Sequence, residues 1–341
     1  DTTFAGGVAV TGDYSSATSG TSNLRLGVNA GNSIASGGNE NVVVGDEAGT
    51  AITTGDYNVA VGYQALKTED AHGGNVAIGR KALETLNAGQ NAYNTAIGYN
   101  SGRYVTTGTN NTLIGGESGD AITTGGNNTA VGKDALSANT TASNNTAVGY
   151  QAGYSNTTGD RHVALGYSAL KDNTTGYRNN AIGYLALTTN TTGFQNNALG
   201  VNALRYNTTG TNNVAIGHEA GLSVTTGIEN TLIGASAGDA LTDADKNVAV
   251  GTNALTSDTL GSNSVAIGRA ALANQNFTSA TDSFNTAVGA RAGVEVTTGI
   301  QNTLIGGQAG DALTDADFNV AVGTDALHSD TLGSRSVAIG R

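Results

Sequence analysis

The chain has 341 residues, a formal net charge of −12 and no Cys, Pro, Met or Trp. This excludes disulfides, thiol catalysis and cysteine-ligated metals and leaves the redox compartment open. Fifteen scattered basic residues exclude nucleic acid as a partner, and no apolar run approaches the roughly twenty residues needed to insert in a membrane. The hydrophobic content of 38% is mostly Ala, Val, Ile and Leu, with 5% aromatic residues, so any core is thin and made of small side chains. The start carries no signal-peptide pattern, and the absence of Met at position 1 suggests a piece of a longer product.

Residues 1–22 contain no full copy of the motif that dominates the rest and are expected to form an N-terminal cap or a degenerate first turn. From residue 23 to 341 a pattern Asn-x-Ala-(Ile/Val)-Gly-x-x-Ala recurs about nineteen times, with motif glycines from Gly27, Gly45, Gly62 and Gly79 through to Gly340. Their spacing is seventeen, apart from intervals of eighteen (27 to 45), nineteen (79 to 98) and twenty-one (268 to 289). A unit this short cannot bury a core alone, so successive copies must stack into a continuous one. The expected fold is an all-β parallel β-roll, or β-solenoid, of about nineteen turns. At about 4.8 Å per stacked strand the array would be a rod on the order of 90 Å long.

With each motif glycine as offset zero, residue types repeat by offset. Offset −1 is Ile, Val or Leu, and −2 is nearly always Ala, with Leu113, Leu232 and Leu304 as replacements. Neighbouring strand residues face opposite ways, so one apolar face looks into the coil and the other asks for a partner, most simply further copies of the chain. Offset +3 is Ala or Ser, which suggests a tight place, and +4 is only Leu or Gly. A second glycine recurs at +10, often closing Thr-Thr-Gly as in Thr157-Thr158-Gly159. Two glycine corners predict two short parallel strands per turn.

Asn fills offset −4 in sixteen of nineteen turns, among them Asn58, Asn75, Asn94, Asn111, Asn128, Asn145, Asn213, Asn230, Asn247, Asn285, Asn302 and Asn319; His162, Ser264 and Ser336 are the exceptions. In register these amides are expected to stack as a structural ladder, each bonding the one above and below. The Asn-Thr-Thr segments at Asn156, Asn173, Asn190 and Asn207 also match the glycosylation sequon, although turn chemistry accounts for them. Residues 213–269 and 285–341 agree at 44 of 57 positions. Such block duplication lengthens a shaft and does little for an active site.

The runs at 263–268, 213–217 and 336–340, ending in Val-Ala-Ile-Gly, resemble the head repeats of YadA-like trimeric autotransporter adhesins and the similar β-roll repeats of bacteriophage tail fibres. The resemblance covers roughly residues 23–341. It implies a left-handed homotrimer that attaches to cell surfaces through a glycan or protein receptor. The longer period and Thr-Thr-Gly corners depart from the adhesin pattern and are nearer the phage repeats.

Catalytic chemistry finds no support. His72, His162, His218 and His328 share no offset and are expected to be isolated surface residues. No nucleophile elbow or Ser-His-Asp set can be assembled, paired acids of a glycosidase lack an aromatic platform, and no cofactor is implied. Asp239, Asp243 and Asp245, repeated as Asp311, Asp315 and Asp317, are weak calcium candidates, because the calcium-binding roll motif is missing. The expected function is a non-enzymatic extracellular fibre segment on a virion or cell surface. The alternatives are a self-assembling structural filament without a receptor and, from the Thr array, an ice- or mineral-binding surface.

Overall fold

A computed structural model describes residues 19–341, so most of the expected cap over 1–22 lies outside the described residues. The chain divides into two compact units, one ending at Val131 and the other spanning Gly132–Arg341. Both are parallel β-solenoids with no helix among the described residues. The first contains seven three-residue strands, from Leu24–Leu26 to Thr129–Val131, and the second twelve, from Thr146–Val148 to Val337–Ile339. Within each unit the three-residue strands occupy offsets −3 to −1 and pair in register with the equivalent residues of the next turn: Ala60 with Ala77 in the first unit, Ala198 with Ala215 in the second.

The expectation of two strands per turn is corrected to one. Around the Thr-Thr-Gly corner, backbone N–H groups converge on one carbonyl instead of forming a ladder. Thr174, Thr175 and Gly176 all donate to the Thr191 carbonyl, at 2.9, 3.4 and 3.4 Å. Between strand and corner the backbone repeatedly enters the left-handed region, for example at Ser168 and Leu170, which an extended strand cannot accommodate. Among the described residues a second strand pair forms only across the twenty-one-residue turn, where Gly261–Ser262 meets Thr281–Asp282.

The motif glycine begins the sharp bend that ends each strand. Gly183 has φ +138°, and a Cβ there would sit 2.3 Å from the Gly200 carbonyl oxygen of the next turn. Only glycine allows both the dihedral and the contact.

Inside the coil, Ala at −2 and +3 is buried in both units, as Ala147 and Ala152 illustrate, up to the last turn, where Ala338 is half-buried. The Ser replacements at +3 are satisfied: Ser101 Oγ donates to the Leu113 carbonyl at 2.8 Å and Ser118 Oγ to that of Ala130 at 2.9 Å. The Leu-or-Gly choice at +4 is a packing exchange. Leu113 at −2 projects between Gly102 and Gly119, both at +4, where an added Cβ would approach its methyl carbons at 2.7 and 2.8 Å. Leu232 between Gly221 and Gly238, and Leu304 between Gly293 and Gly310, repeat the arrangement. Where +4 is Leu, −2 is Ala; the volume is supplied from one wall or the other, keeping the interior close-packed.

Candidate functional site

Offset −2 points inward, so −1 and −3 form the outer face of the sheet. Between the end turns, where Leu26 and Ile339 are 46% and 78% exposed, the most open −1 residues stay 36–46% exposed, at Ile78, Ile97 and Ile114 in the first unit and Val148, Leu199, Ile216, Ile267 and Ile305 in the second. Offset −3 is usually a half-buried Val or Thr. The second unit carries one polar break, where Asn180 Nδ2 donates to Asn197 Oδ1 at 2.6 Å beside a shallow depression lined by Ile182, Leu199 and Ile216.

A second outward feature was not anticipated from the low aromatic content. Tyr150, Tyr167 and Tyr184 all occupy +1 and stack with ring centroids 5.4 and 5.2 Å apart. Tyr177 stacks on Phe194 at 4.8 Å. In the first unit Arg80 lies between Tyr63 and Tyr99, 5.7 and 5.4 Å from their centroids, which is cation–π geometry. The signal was present in the sequence as Tyr at a fixed offset, but percentage composition obscured it.

Each unit contains a buried column of −4 asparagines, with Asn58, Asn75, Asn94, Asn111 and Asn128 in the first and Asn213, Asn230, Asn247, Asn302 and Asn319 among those in the second. The bonding differs from simple amide stacking. The side-chain oxygen of one Asn accepts the backbone N–H of the next, as Asn94 Oδ1 does from Asn111 at 2.9 Å and Asn213 Oδ1 from Asn230 at 3.0 Å. Nδ2 then donates across the coil to the corner carbonyl fourteen residues on: Asn94 to Gly108 at 2.8 Å, Asn145 to Gly159 at 3.1 Å, Asn285 to Gly299 at 2.7 Å. One side chain thereby satisfies a buried donor and a buried acceptor.

The Asn-Thr-Thr asparagines form a second column. Asn173, Asn190 and Asn207 donate through Nδ2 to Oδ1 of Asn156, Asn173 and Asn190 at 2.8, 2.7 and 2.8 Å. Each also donates to the carbonyl three residues on, such as Gly193 from Asn190 at 3.0 Å. All four sequon asparagines are fully buried, so their amide nitrogens are out of reach of a glycosylating enzyme. The column stops at Asn207, whose Oδ1 finds no partner because Val224 holds the next equivalent position.

The expectation of isolated surface histidines is corrected at three of the four positions. His162 is buried in the −4 column, where desolvation lowers its pKa to about 4 against opposing hydrogen bonds with the backbone of Asn179 and Gly176. His328 Nδ1 lies 2.7 Å from Asp311 Oδ1. His72 adjoins Glu69 and Asp70. His218 remains largely exposed, 3.6 Å from Glu219.

No three of the six candidate calcium ligands meet in one cluster among the described residues; Asp239 reaches to the following turn, whereas Asp243 and Asp245 reach to the preceding one. Asp239 accepts from Thr256 Oγ1 at 2.6 Å, Asp243 accepts from Thr226 Oγ1, and Asp245 accepts from the Ile228 backbone at 2.8 Å. In the copy, Asp317 accepts from the Ile300 backbone at 2.8 Å and Asp311 meets His328, whereas Asp315 joins no such cluster. Offsets +5, +9 and +11 lie too far round the turn to share an ion.

No protein-family model matches this chain, and no curated protein matches it either. Among the described residues no helix is long and apolar enough to cross a membrane.

Proposed function

We propose that this chain is a non-enzymatic segment of an extracellular fibre, the shaft or head of an assembly that projects from a virion or cell and contributes to attachment. Its outer sheet face packs against other copies of the chain. The observation that carries the reading is the row of exposed Ile, Val and Leu at −1 over a sheet whose inner face is already filled. Such a face is stable in water when a second apolar surface covers it, and identical solenoids in register present a matching one. The resemblance to trimeric adhesin heads and phage fibres supplies the number three and the left hand. The burial of most conspicuous polar residues in structural columns leaves +1, +2 and the corners for a glycan or protein receptor.

Sedimentation of the purified chain tests this reading: a defined small oligomer supports it, and a stable monomer at micromolar concentration would overturn it. The duplicated block of 213–269 and 285–341 motivates a second reading, a subunit of a structural filament without a receptor. Electron microscopy separates the two, discrete rods favouring the fibre segment and indefinite filaments the polymer.

A further inference from the structure

We infer that the corner formed by Glu69, Asp70 and His72 in the first unit is a binding site for a first-row divalent transition-metal ion, zinc being the natural probe. The coordinating atoms of the three side chains lie within 4.8 Å of one another. Tetrahedral zinc with bonds of about 2.0–2.2 Å holds its ligands about 3.4 Å apart. Modest rotation of Asp70 and His72, which keep partial exposure, closes that difference. An imidazole beside two carboxylates selects the zinc-like group over calcium, which prefers six to eight oxygens.

The independent observation is the state of Glu69. Its side chain is fully buried, yet neither carboxylate oxygen has a hydrogen-bond partner. Backbone amides of Ala88, His72 and Asp70 are near enough to offset part of the cost of burial, but none completes a hydrogen bond. His72 Nδ1, at 3.5 Å from Oε1, is likewise without one. At the same offset, +7, the adjacent turns carry the apolar Ile52 and Leu86, and the buried polar residues of other turns are bonded, the neutral Oδ1 of Asn207 at the end of its column excepted. Asp258 illustrates the bonded case: Oδ1 accepts from the Gly261 and Phe277 backbones at 3.0 and 3.1 Å, and Oδ2 accepts from Gln275 at 2.6 Å. A bare buried carboxylate is costly unless it is paired or coordinates a cation.

Nearby basic side chains are committed elsewhere, Lys67 to Glu47 at 2.8 Å and Lys81 and Arg103 to Glu84 at 2.9 and 2.7 Å. The corner also departs from the repeat in composition, with the one Glu at an offset that elsewhere holds Asn, an aliphatic residue or, near the end of the array, Asp258, Gln275 and Asp330, and with His72 in place of the usual +10 glycine. Its backbone is held from both neighbouring turns. The Asp70 carbonyl accepts from Thr53 N–H at 2.6 Å, the His72 carbonyl from Asn58 Nδ2 at 3.1 Å, and Gly73 N–H donates to Asn91 Oδ1 at 2.9 Å. The ligands therefore stand on a rigid frame, as a selective site requires.

The test is calorimetric titration of ZnCl2 into the tag-free full chain after dialysis against a chelator, with millimolar calcium and magnesium present. One equivalent should bind to the wild type and to a His328→Ala control. Affinity should fall at least tenfold in Glu69→Gln and in His72→Ala. Cobalt(II) should give a visible d–d spectrum that His72→Ala alters. Urea midpoints measured without metal show whether each variant is folded; Glu69→Gln, which removes a buried charge, should be at least as stable as the wild type. Absence of stoichiometric uptake, or uptake unchanged in a folded Glu69→Gln or His72→Ala variant, would overturn the assignment.

Discussion

His162 occupies an asparagine position in the buried −4 column, and its Nδ1 accepts the backbone N–H of Asn179 at 3.2 Å. That bond makes Nδ1 the acceptor and leaves the proton of the neutral ring to Nε2, which faces the Gly176 backbone and lies 3.2 Å from Asn173 Nδ2. The ring thus reproduces both functions of the asparagines, accepting from the next backbone N–H and donating across the coil. Protonation would put a second hydrogen on Nδ1, opposite the Asn179 N–H, and two donors would then confront each other.

This predicts acid sensitivity of defined sign. The folded pKa, about 4, lies below the unfolded value near 6.5, so the unfolded chain binds the extra proton first. Stability is unaffected by this group above pH 6.5 and is lost as pH falls from there to about 4, by roughly 3 kcal/mol at the lower end. The raised pKa values of Glu69 and Asp258, caused chiefly by burial, act in the opposite direction but are common to wild type and variant. His162→Asn should therefore match the wild type or exceed it at pH 7 and pull ahead steadily toward pH 4.5. Urea midpoints over that range check it; parallel pH profiles would refute the role given to His162.

Asn213 accepts the Asn230 backbone N–H at 3.0 Å and donates to the Gly227 carbonyl at 2.7 Å. Asn213→Ala strands a buried donor and a buried acceptor, each worth about 1–3 kcal/mol when left unmade. A loss of about 3 kcal/mol is expected. Asn212→Ala, one residue away with its side chain bonded only to the exposed Thr211 hydroxyl, strands no buried group and should cost only about 1 kcal/mol, the strain of a φ of +58° on alanine. Equal losses in the two variants would show that the column contributes little.

The exchange between −2 and +4 is open to a double-mutant cycle. Leu113→Ala empties the space between Gly102 and Gly119 and should cost about 2–5 kcal/mol. Gly102→Ala would bring a methyl to 2.7 Å from Leu113 and 3.0 Å from Leu83 at φ +58°, and is also destabilising. Combined, the changes should cost clearly less than their sum, because the smaller residue 113 makes room for the new methyl. Simple additivity would mean that the clash is relieved elsewhere.

The seventeen-residue period, the parallel strands and the presence of one inward and one outward apolar face were legible because a strand alternates faces and a solenoid repeats offsets; that −2 is the inward one came from the structure. The single strand per turn was not. Glycine at +10 marks a corner, but whether the chain leaving it forms a ladder depends on where carbonyls point, and Thr191 draws three donors to one oxygen. Residue type at −4 suggested a ladder without revealing that backbone N–H groups, and not amides alone, are its rungs. His162 looked unrelated to that ladder because an imidazole and a carboxamide share only the spacing of acceptor and donor. The Glu69 corner was hidden for a different reason: histidines were compared by offset along the coil, whereas this cluster is local to one corner.

The exposed −1 row makes the last prediction. Ile216 and Ile267 point outward and are 39% and 38% exposed, while the residues before them, Ala215 and Ala266, fill the interior. Ile216→Lys combined with Ile267→Lys leaves the inner core intact, so far-UV circular dichroism and the urea transition of the isolated coil should change little. If copies pack through this face, two lysines per copy brought together out of water repel and lose hydration, and the sedimentation coefficient should fall to that of a monomer. Placing the same lysines at Thr252 and Ala235, which lie at +1 beyond the sheet, should leave the assembly whole. Loss of assembly in both pairs, or in neither, would remove the sheet face as the contact between copies.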